Sequence, residues 1–300
     1  MRAVVTGGAG FIGSHLVDAL VERADEVHVV DNLATGRREN VNPAATLHEV
    51  DVREPLDDVF AGARPERVFH LAAQADVGTS VEKPLFDAEV NVLGTLRVLD
   101  AARAAGASVV FSSTGGAIYG ECPEPAGEDS PREPLAPYGA SKLCGEEYLG
   151  TWNRLHGTSH VALRFANVYG PRQLAKLEGG VIAIFMDRLR AGEAATIFGD
   201  GEQERDFVFV GDVVRALLAA SATESAGTFN VGTGVATSVN ELWRLCAAAA
   251  GAEGEARHAE ARAGDLRRSV LAVDRARDEL GWEPRTPLDE GLRLTWTAHA

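Results

Sequence analysis

The segment Thr6-Gly7-Gly8-Ala9-Gly10-Phe11-Ile12-Gly13 constrains this chain more than any other. It follows a short apolar run at 3–6 and opens a stretch of helical periodicity at 11–22. Glycine suits such a strand-to-helix turn for three reasons: it permits the tight turn, it lets backbone N–H groups approach a pyrophosphate, and it allows close helix–strand packing. Asp31 closes the second apolar run, 18 residues beyond Gly13. A carboxylate there accepts hydrogen bonds from an adenosine ribose and repels a 2′-phosphate. The turn and the acid together predict a dinucleotide site that prefers NAD to NADP. Asp51-Val52, after the third run, either accepts from the adenine amino group or is a plain surface acid.

Apolar runs at 3–6, 27–31, 47–50, 68–71, 108–112 and 161–165 alternate with helical stretches at 11–22, 84–105 and 138–155. That alternation predicts a parallel sheet covered on both faces. After about residue 170 the pattern changes, with frequent Gly and Pro, short strands at 196–198 and 228–231, and a helix at 239–250. The Ala/Gly/Glu-rich stretch 247–260 reads as a helix end followed by a surface loop. The expected fold is α/β: a Rossmann-type doubly wound parallel sheet over 1–170, with a smaller mixed α/β substrate-binding lobe mainly over 171–300. Later segments return to the first domain. No period of 20–50 residues marks a solenoid.

Charge and cysteine content exclude other classes. The 29 Lys+Arg against 44 Asp+Glu give a net charge of −15, which argues against a nucleic-acid partner or an anionic membrane surface. Cys122, Cys144 and Cys246 are far apart and lack CxxC spacing, so neither a disulfide framework nor a metal site follows from them. A reducing cytoplasm is the expected compartment. No apolar run approaches the ~20 residues of a membrane span. The N-terminus runs directly into a strand-like segment, so no cleavable signal is expected.

Tyr138-Gly139-Ala140-Ser141-Lys142 opens the third helical stretch, and the spacing of four puts Tyr138 and Lys142 on one face. A free phenol titrates near ~10, so a phenolate base at neutral pH needs about 4 kcal/mol of differential stabilisation. A neighbouring ammonium and the positive nicotinamide ring can supply it. Upstream, Ser112-Ser113-Thr114 ends a strand, where ligands bind in such sheets. One of these hydroxyls is suited to bond a substrate oxygen that exchanges a proton with Tyr138.

Together these residues resemble the extended short-chain dehydrogenase/reductase superfamily, in particular its NAD-dependent, sugar-nucleotide epimerase-like branch. The motifs are TGGAGFIGSH (6–15), VVDNLATG (29–36), HLAAQADV (70–77), EKPLFDAEVNVLGTL (82–96), SSTGGAIYG (112–120), YGASK (138–142), RFANVYGPRQ (164–173), GGVIAIF (179–185), FGDGEQERDFVFVGDV (198–213), FNVGTG (229–234) and RAGDLRRS (262–269). The resemblance implies that Gly7, Gly10, Phe11, Ile12, Asp31, Asn32, Asp51, Val52, Leu71, Ala72, Ala73 and Gln74 hold NAD, with Ser112 beside the nicotinamide. Lys142 would hold the nicotinamide ribose and tune Tyr138. Asn91 would support the hydroxyl loop. Asn167 and Gly180-Val181-Ile182 would contact the nucleotide-sugar, and Arg205 and Arg262, with Asp265 nearby, would address its pyrophosphate. A homodimer through the helices at 84–105 and 138–155 is also implied, with Val92, Leu96 and Leu99 as its apolar residues.

The chain departs from the family pattern in places. Gly115 stands where many relatives carry the catalytic hydroxyl, so Thr114 or Ser113 must provide it, with Thr114 preferred. Ala75 replaces a lysine of some members, and Gln74 covers part of that role. Gly115, Gly116 and Ala117 replace the acid pair that a 4,6-dehydratase needs. Ser269 occupies the position that sizes the sugar pocket, and a serine there leaves room for a 2-acetamido group. The expected activity is NAD-dependent 4-epimerisation of a nucleotide-diphosphate sugar, UDP-glucose/UDP-galactose first. The alternatives are a UDP-N-acetylglucosamine or UDP-uronate epimerase, a decarboxylase, a dehydratase, or a non-catalytic NAD-binding regulator.

Overall fold

The computed structural model describes residues 1–175, 180–252, 256–261 and 265–298. Residues along β1 (Arg2–Thr6) alternate between two apolar clusters, as a strand buried on both faces must. Ala3 and Val5 pack with Leu16, Val17 and Leu20 of the helix Phe11–Glu22 and with Val213 and Leu217 of the helix Val210–Ala222. Val4 packs on the other side with Phe60, Val98, Ala102 and Leu149. Those residues come from the helices Asp57–Ala63, Gly94–Ala105 and Pro137–His156.

β1 lies inside a seven-stranded sheet with β2 (Glu26–Asp31), β3 (Thr46–Glu49), β4 (Arg67–His70), β5 (Ser108–Thr114), β6 (Val161–Phe165) and the strand Gly227–Val231. The order is Gly227–Val231, β6, β5, β4, β1, β2, β3, and every neighbouring pair is parallel. The chain runs outward from β1 in one direction to β3 and then in the other from β4. The switch point is therefore between β1 and β4, where open α/β sheets bind ligands at the strands' carboxyl ends. The expected doubly wound sheet is the fold observed.

A third cluster, including Ile182, Phe185, Met186, Phe207, Leu242, Trp243 and Leu292, forms the core of a smaller lobe. It lies among the helices Val181–Ala191, Val239–Ala250 and Leu288–Ala298. Short strands complete it: Ala195–Phe198 pairs with Ala256–Ala259, and Glu204–Arg205 lies between Thr237–Ser238 and Arg268–Ser269. Among the described residues no helix is long and apolar enough to cross a membrane.

Four local expectations are corrected. The strand at 228–231 belongs to the central sheet beside β6 rather than to the small lobe. The stretch 247–260 contains the strand Ala256–Ala259, which is largely exposed and so lacks the apolar alternation that would reveal it. The helix at 84–105 is interrupted by a π-helical turn at Glu89–Leu93. Leu99 is fully buried against the sheet and offers nothing to a partner chain.

Candidate active site

The ends of β1, β2, β4 and β5 open into a cavity of about 590 Å³. Its floor is the glycine turn. Gly7 has φ +72°, and a Cβ there would lie 2.6 Å from the Ala72 nitrogen. A Cβ on Gly13 would lie 2.1 Å from the Gly7 carbonyl oxygen. No side chain caps the helix that begins at Phe11, and its first turn has no acid. Its first N–H groups therefore present the positive end of the helix dipole to the cavity, the arrangement that suits a pyrophosphate.

Asp31 is nearly buried and accepts hydrogen bonds from the backbone N–H of Ala9 (2.9 Å) and Leu33 (2.8 Å). Burial pushes its carboxyl up, and the two N–H groups pull it back. Asn32 donates to Asp51 (2.8 Å), and Arg53 donates to both oxygens of Asp51. The Arg53 side chain thus holds Asp51 well below the usual carboxylate range, against a smaller desolvation effect. Val52, Leu71, Ala72, Ala73 and Gln74 complete this wall.

Tyr138 and Lys142 line the same cavity from the Pro137–His156 helix, as do Ser112 and Ser113. Tyr138 hydrogen-bonds Thr114, whereas Ser113 donates to Glu146 (2.5 Å). Of the two candidate hydroxyls, Thr114 is thus the one that meets the phenol. Lys142 is buried, donates to the Ser112 carbonyl (2.9 Å) and sits 4.8 Å from the centre of the Phe111 ring. Burial lowers its ammonium to about 8, while the charges of Asp87 and Glu146 oppose the shift. The phenol departs from expectation. With protein groups alone, burial raises Tyr138 to about 12; Thr114 opposes this and Asp87 adds to it. The Lys142 ammonium is directed at a carbonyl and a ring.

Asn91 lies in the π-helical turn, 1% exposed. It accepts from the Gln74 N–H (2.9 Å) and donates to the Gln74 carbonyl (2.9 Å), Asp87 (3.0 Å) and Ser141 (3.1 Å). It ties the cavity wall to the Tyr–Lys helix without lining the cavity. Thr95 donates to the Asn91 carbonyl (2.6 Å), so His70 Nε2 donates to Thr95 (3.0 Å) and its Nδ1 accepts from Thr6 (2.7 Å). Burial holds this imidazole neutral, near 3.

A second cavity, about 390 Å³, adjoins the first, and Tyr138, Val168 and Gln173 line both. Asn167, Gly180, Val181, Ile182, Arg205 and Asp265 line it. Asn167 donates to the Asp206 carbonyl (3.1 Å), and Arg205 is ion-paired with Asp265. Arg262 lies outside the described residues. Ser269 is buried in a strand paired with Arg205 and lines neither cavity. Gln173, Asp87 and Glu146 also belong to the site, although none is among the expected site residues. Glu146 follows Lys142 at the same spacing of four that marked Tyr138, so the helical face already contained its signal.

Comparison with known proteins agrees with this geometry. The profile of the NAD dependent epimerase/dehydratase family matches residues 3–232. A UDP-glucose 4-epimerase of Mycolicibacterium smegmatis is 47% identical over 98% of this chain and 97% of its own length. The crystal structure of the Thermotoga maritima UDP-glucose 4-epimerase with UDP-glucose superposes with a TM-score of 0.97 at 46% identity, covering 100% of this chain and 98% of that one. The Thermus thermophilus UDP-glucose 4-epimerase in complex with NAD gives a TM-score of 0.95 at 46% identity, with 99% and 98% covered.

Proposed function

The chain belongs to the NAD-dependent epimerase/dehydratase family, and from that premise we propose that it interconverts UDP-glucose and UDP-galactose with NAD as its resident cofactor. One observation carries the reading. Tyr138, hydrogen-bonded to Thr114, stands where a glycine-floored cavity meets a second cavity lined by Asn167 and Arg205.

The residues present fit NAD. The cradle at Gly7 and Gly13 has no room for a Cβ, the uncapped helix start suits the pyrophosphate, and Asp31 suits the ribose. Leu71, Ala72, Ala73 and Gln74 would wall the cofactor, with Asn32, Asp51 and Val52 at its adenine end and Ser112 and Lys142 at the nicotinamide ribose. Bound there, NAD would supply reversible hydride transfer at C4 of the sugar. Tyr138 removes the proton from the 4-hydroxyl, and its oxygen returns that proton to the other epimer. Thr114 orients the phenol and bonds the same sugar oxygen. Arg205, freed from Asp265, pairs with the pyrophosphate. Asn167 and the start of the Val181–Ala191 helix hold the nucleotide-sugar while the 4-keto sugar turns over.

Dehydration is disfavoured. Gly115, Gly116 and Ala117 stand where a dehydratase needs its acid pair, and a side chain at Gly115 would meet the Leu271 side chain at 2.5 Å, so Leu271 would have to move. A non-catalytic regulator is disfavoured because both Tyr138 and Lys142 are present and face the cavity. We extend the reading to a homodimer: Val81, Leu85, Leu93 and Leu155 are 62, 81, 53 and 69% exposed around the two helices named above. Light scattering should then give twice the 31.7 kDa chain mass; the single-chain mass would contradict the dimer. The reaction itself is tested by incubating the protein with UDP-glucose, UDP-galactose, their 2-acetamido counterparts and UDP-uronates, without added reductant. The expected result is a new peak from each hexose that co-elutes with its 4-epimer; no new peak from either hexose would contradict the reading.

A further inference from the structure

Glu146 extends the Tyr138–Lys142 face of the Pro137–His156 helix by one more turn. Its side chain is 4% exposed and paired with Arg164 of β6, itself 3% exposed. The pair is two-pronged: Arg164 Nε donates to Glu146 Oε1 (2.9 Å) and Nη2 to Oε2 (2.7 Å). The third guanidinium nitrogen donates to the Tyr119 hydroxyl (2.6 Å) and the Glu128 carbonyl (3.0 Å), and Tyr119 donates to Asn230 (2.8 Å). A buried ion pair is weak evidence for stability alone, because desolvation offsets most of its attraction. Its position beside the reacting groups points to another role.

We propose that Glu146 is a positioning residue: it captures the Ser113 hydroxyl, which leaves Thr114 to meet Tyr138, and it holds a negative charge against Lys142 so that the lysine stays an ammonium. The proposal rests on the epimerase reading above. Two consecutive hydroxyls at the end of β5 are shared between two groups on one helix, Thr114 with Tyr138 and Ser113 with Glu146. Helical side chains lean toward the helix N-terminus, so the Glu146 carboxylate lies over the turn that bears Lys142.

The charged and titratable groups acting on Lys142 are few. Glu146 comes from its own helix and Asp87 from the helix Pro84–Ala88; Tyr138 lies one turn away on the same helix, neutral His70 of β4 feels the ammonium, and Arg164 of β6 faces Glu146. Burial alone would drive Lys142 toward the neutral amine. Asp87 and Glu146 are the two charges that oppose this, and against them burial lowers it to about 8. Loss of one brings the change of charge toward neutral pH.

The sequence contains three lysines, Lys83, Lys142 and Lys176, so lysine-selective isotope labelling lets Lys142 be titrated by NMR in the NAD-loaded protein. In Glu146→Gln the Lys142 midpoint should fall by roughly half a pH unit or more. The alkaline limb of kcat should move down with it, while KM changes less than kcat. Glu146→Asp, which keeps the charge, should restore the midpoint. If Glu146→Gln fails to fold because Arg164 is left unpaired, the double variant Glu146→Gln/Arg164→Gln keeps complementary amides and should show a smaller fall in the same direction, because the carboxylate is removed together with the guanidinium charge behind it. An unmoved midpoint in the folded variant, with only thermal stability lost, would overturn the proposal. The titration does not depend on turnover, so a protein that epimerises nothing but shows the shift would refute the functional reading and leave this charge assignment standing.

Discussion

Replacing Tyr138 with Phe is expected to lower kcat by on the order of 10³-fold or more, the scale of losing the proton-transfer group, while NAD remains bound. The ring packing survives, because only the hydroxyl is removed. What is lost is the atom hydrogen-bonded to Thr114 at the border of the two cavities. The glycine cradle and Asp31, which the account makes responsible for NAD, are untouched. Turnover within about threefold of the parent would remove Tyr138 from the chemistry. Loss of NAD together with turnover would instead make the phenol an anchor.

Gly13→Ala should have the second largest effect, acting on the cofactor instead of the proton. The added methyl would lie 2.1 Å from the Gly7 oxygen and 2.8 Å from the Gly8 Cα. Both are backbone atoms, so the helix start and the turn must separate. Overpacking of this kind costs roughly 1–3 kcal/mol, and sometimes more. The helix N-terminus also moves off the line along which it addresses a pyrophosphate. The expected outcome, read by equilibrium dialysis and thermal melting, is NAD binding weakened by about tenfold or more, the factor that 1.4 kcal/mol represents, and a melting temperature lower by several degrees. Undiminished NAD binding at an unchanged melting temperature would mean that the close approach at Gly13 does not shape the site.

The parts of the site legible in the sequence are those fixed by local geometry. The glycine turn shows because only glycine tolerates the contacts at positions 7 and 13. Tyr138 and Lys142 show because helical spacing alone puts them on one face. The family resemblance favoured Thr114 over Ser113, but the physical reason for that choice was not legible. It depends on which helical residue each adjacent hydroxyl meets, and Glu146 is 33 residues from Ser113 in sequence. Nor was the direction of the Tyr138 shift. The ammonium one turn away argued for a lowered phenol, but burial, which spacing does not report, dominates among the protein groups. The strand Ala256–Ala259 escaped because its exposed residues carry no periodic signal. Leu99 illustrates the opposite error: helical periodicity identifies an apolar face but not whether the sheet or a partner covers it.

The central claim is that one site on this chain oxidises and re-reduces the same carbon of a nucleotide-sugar, with Tyr138 handling the proton. The most direct measurement is the fate of deuterium at C4 of UDP-galactose, incubated with the protein in ordinary water without added reductant. The expected product is UDP-glucose that carries the deuterium at C4, because the hydrogen leaves and returns within one site. Absence of UDP-glucose, or UDP-glucose with that deuterium exchanged for solvent hydrogen, would contradict it.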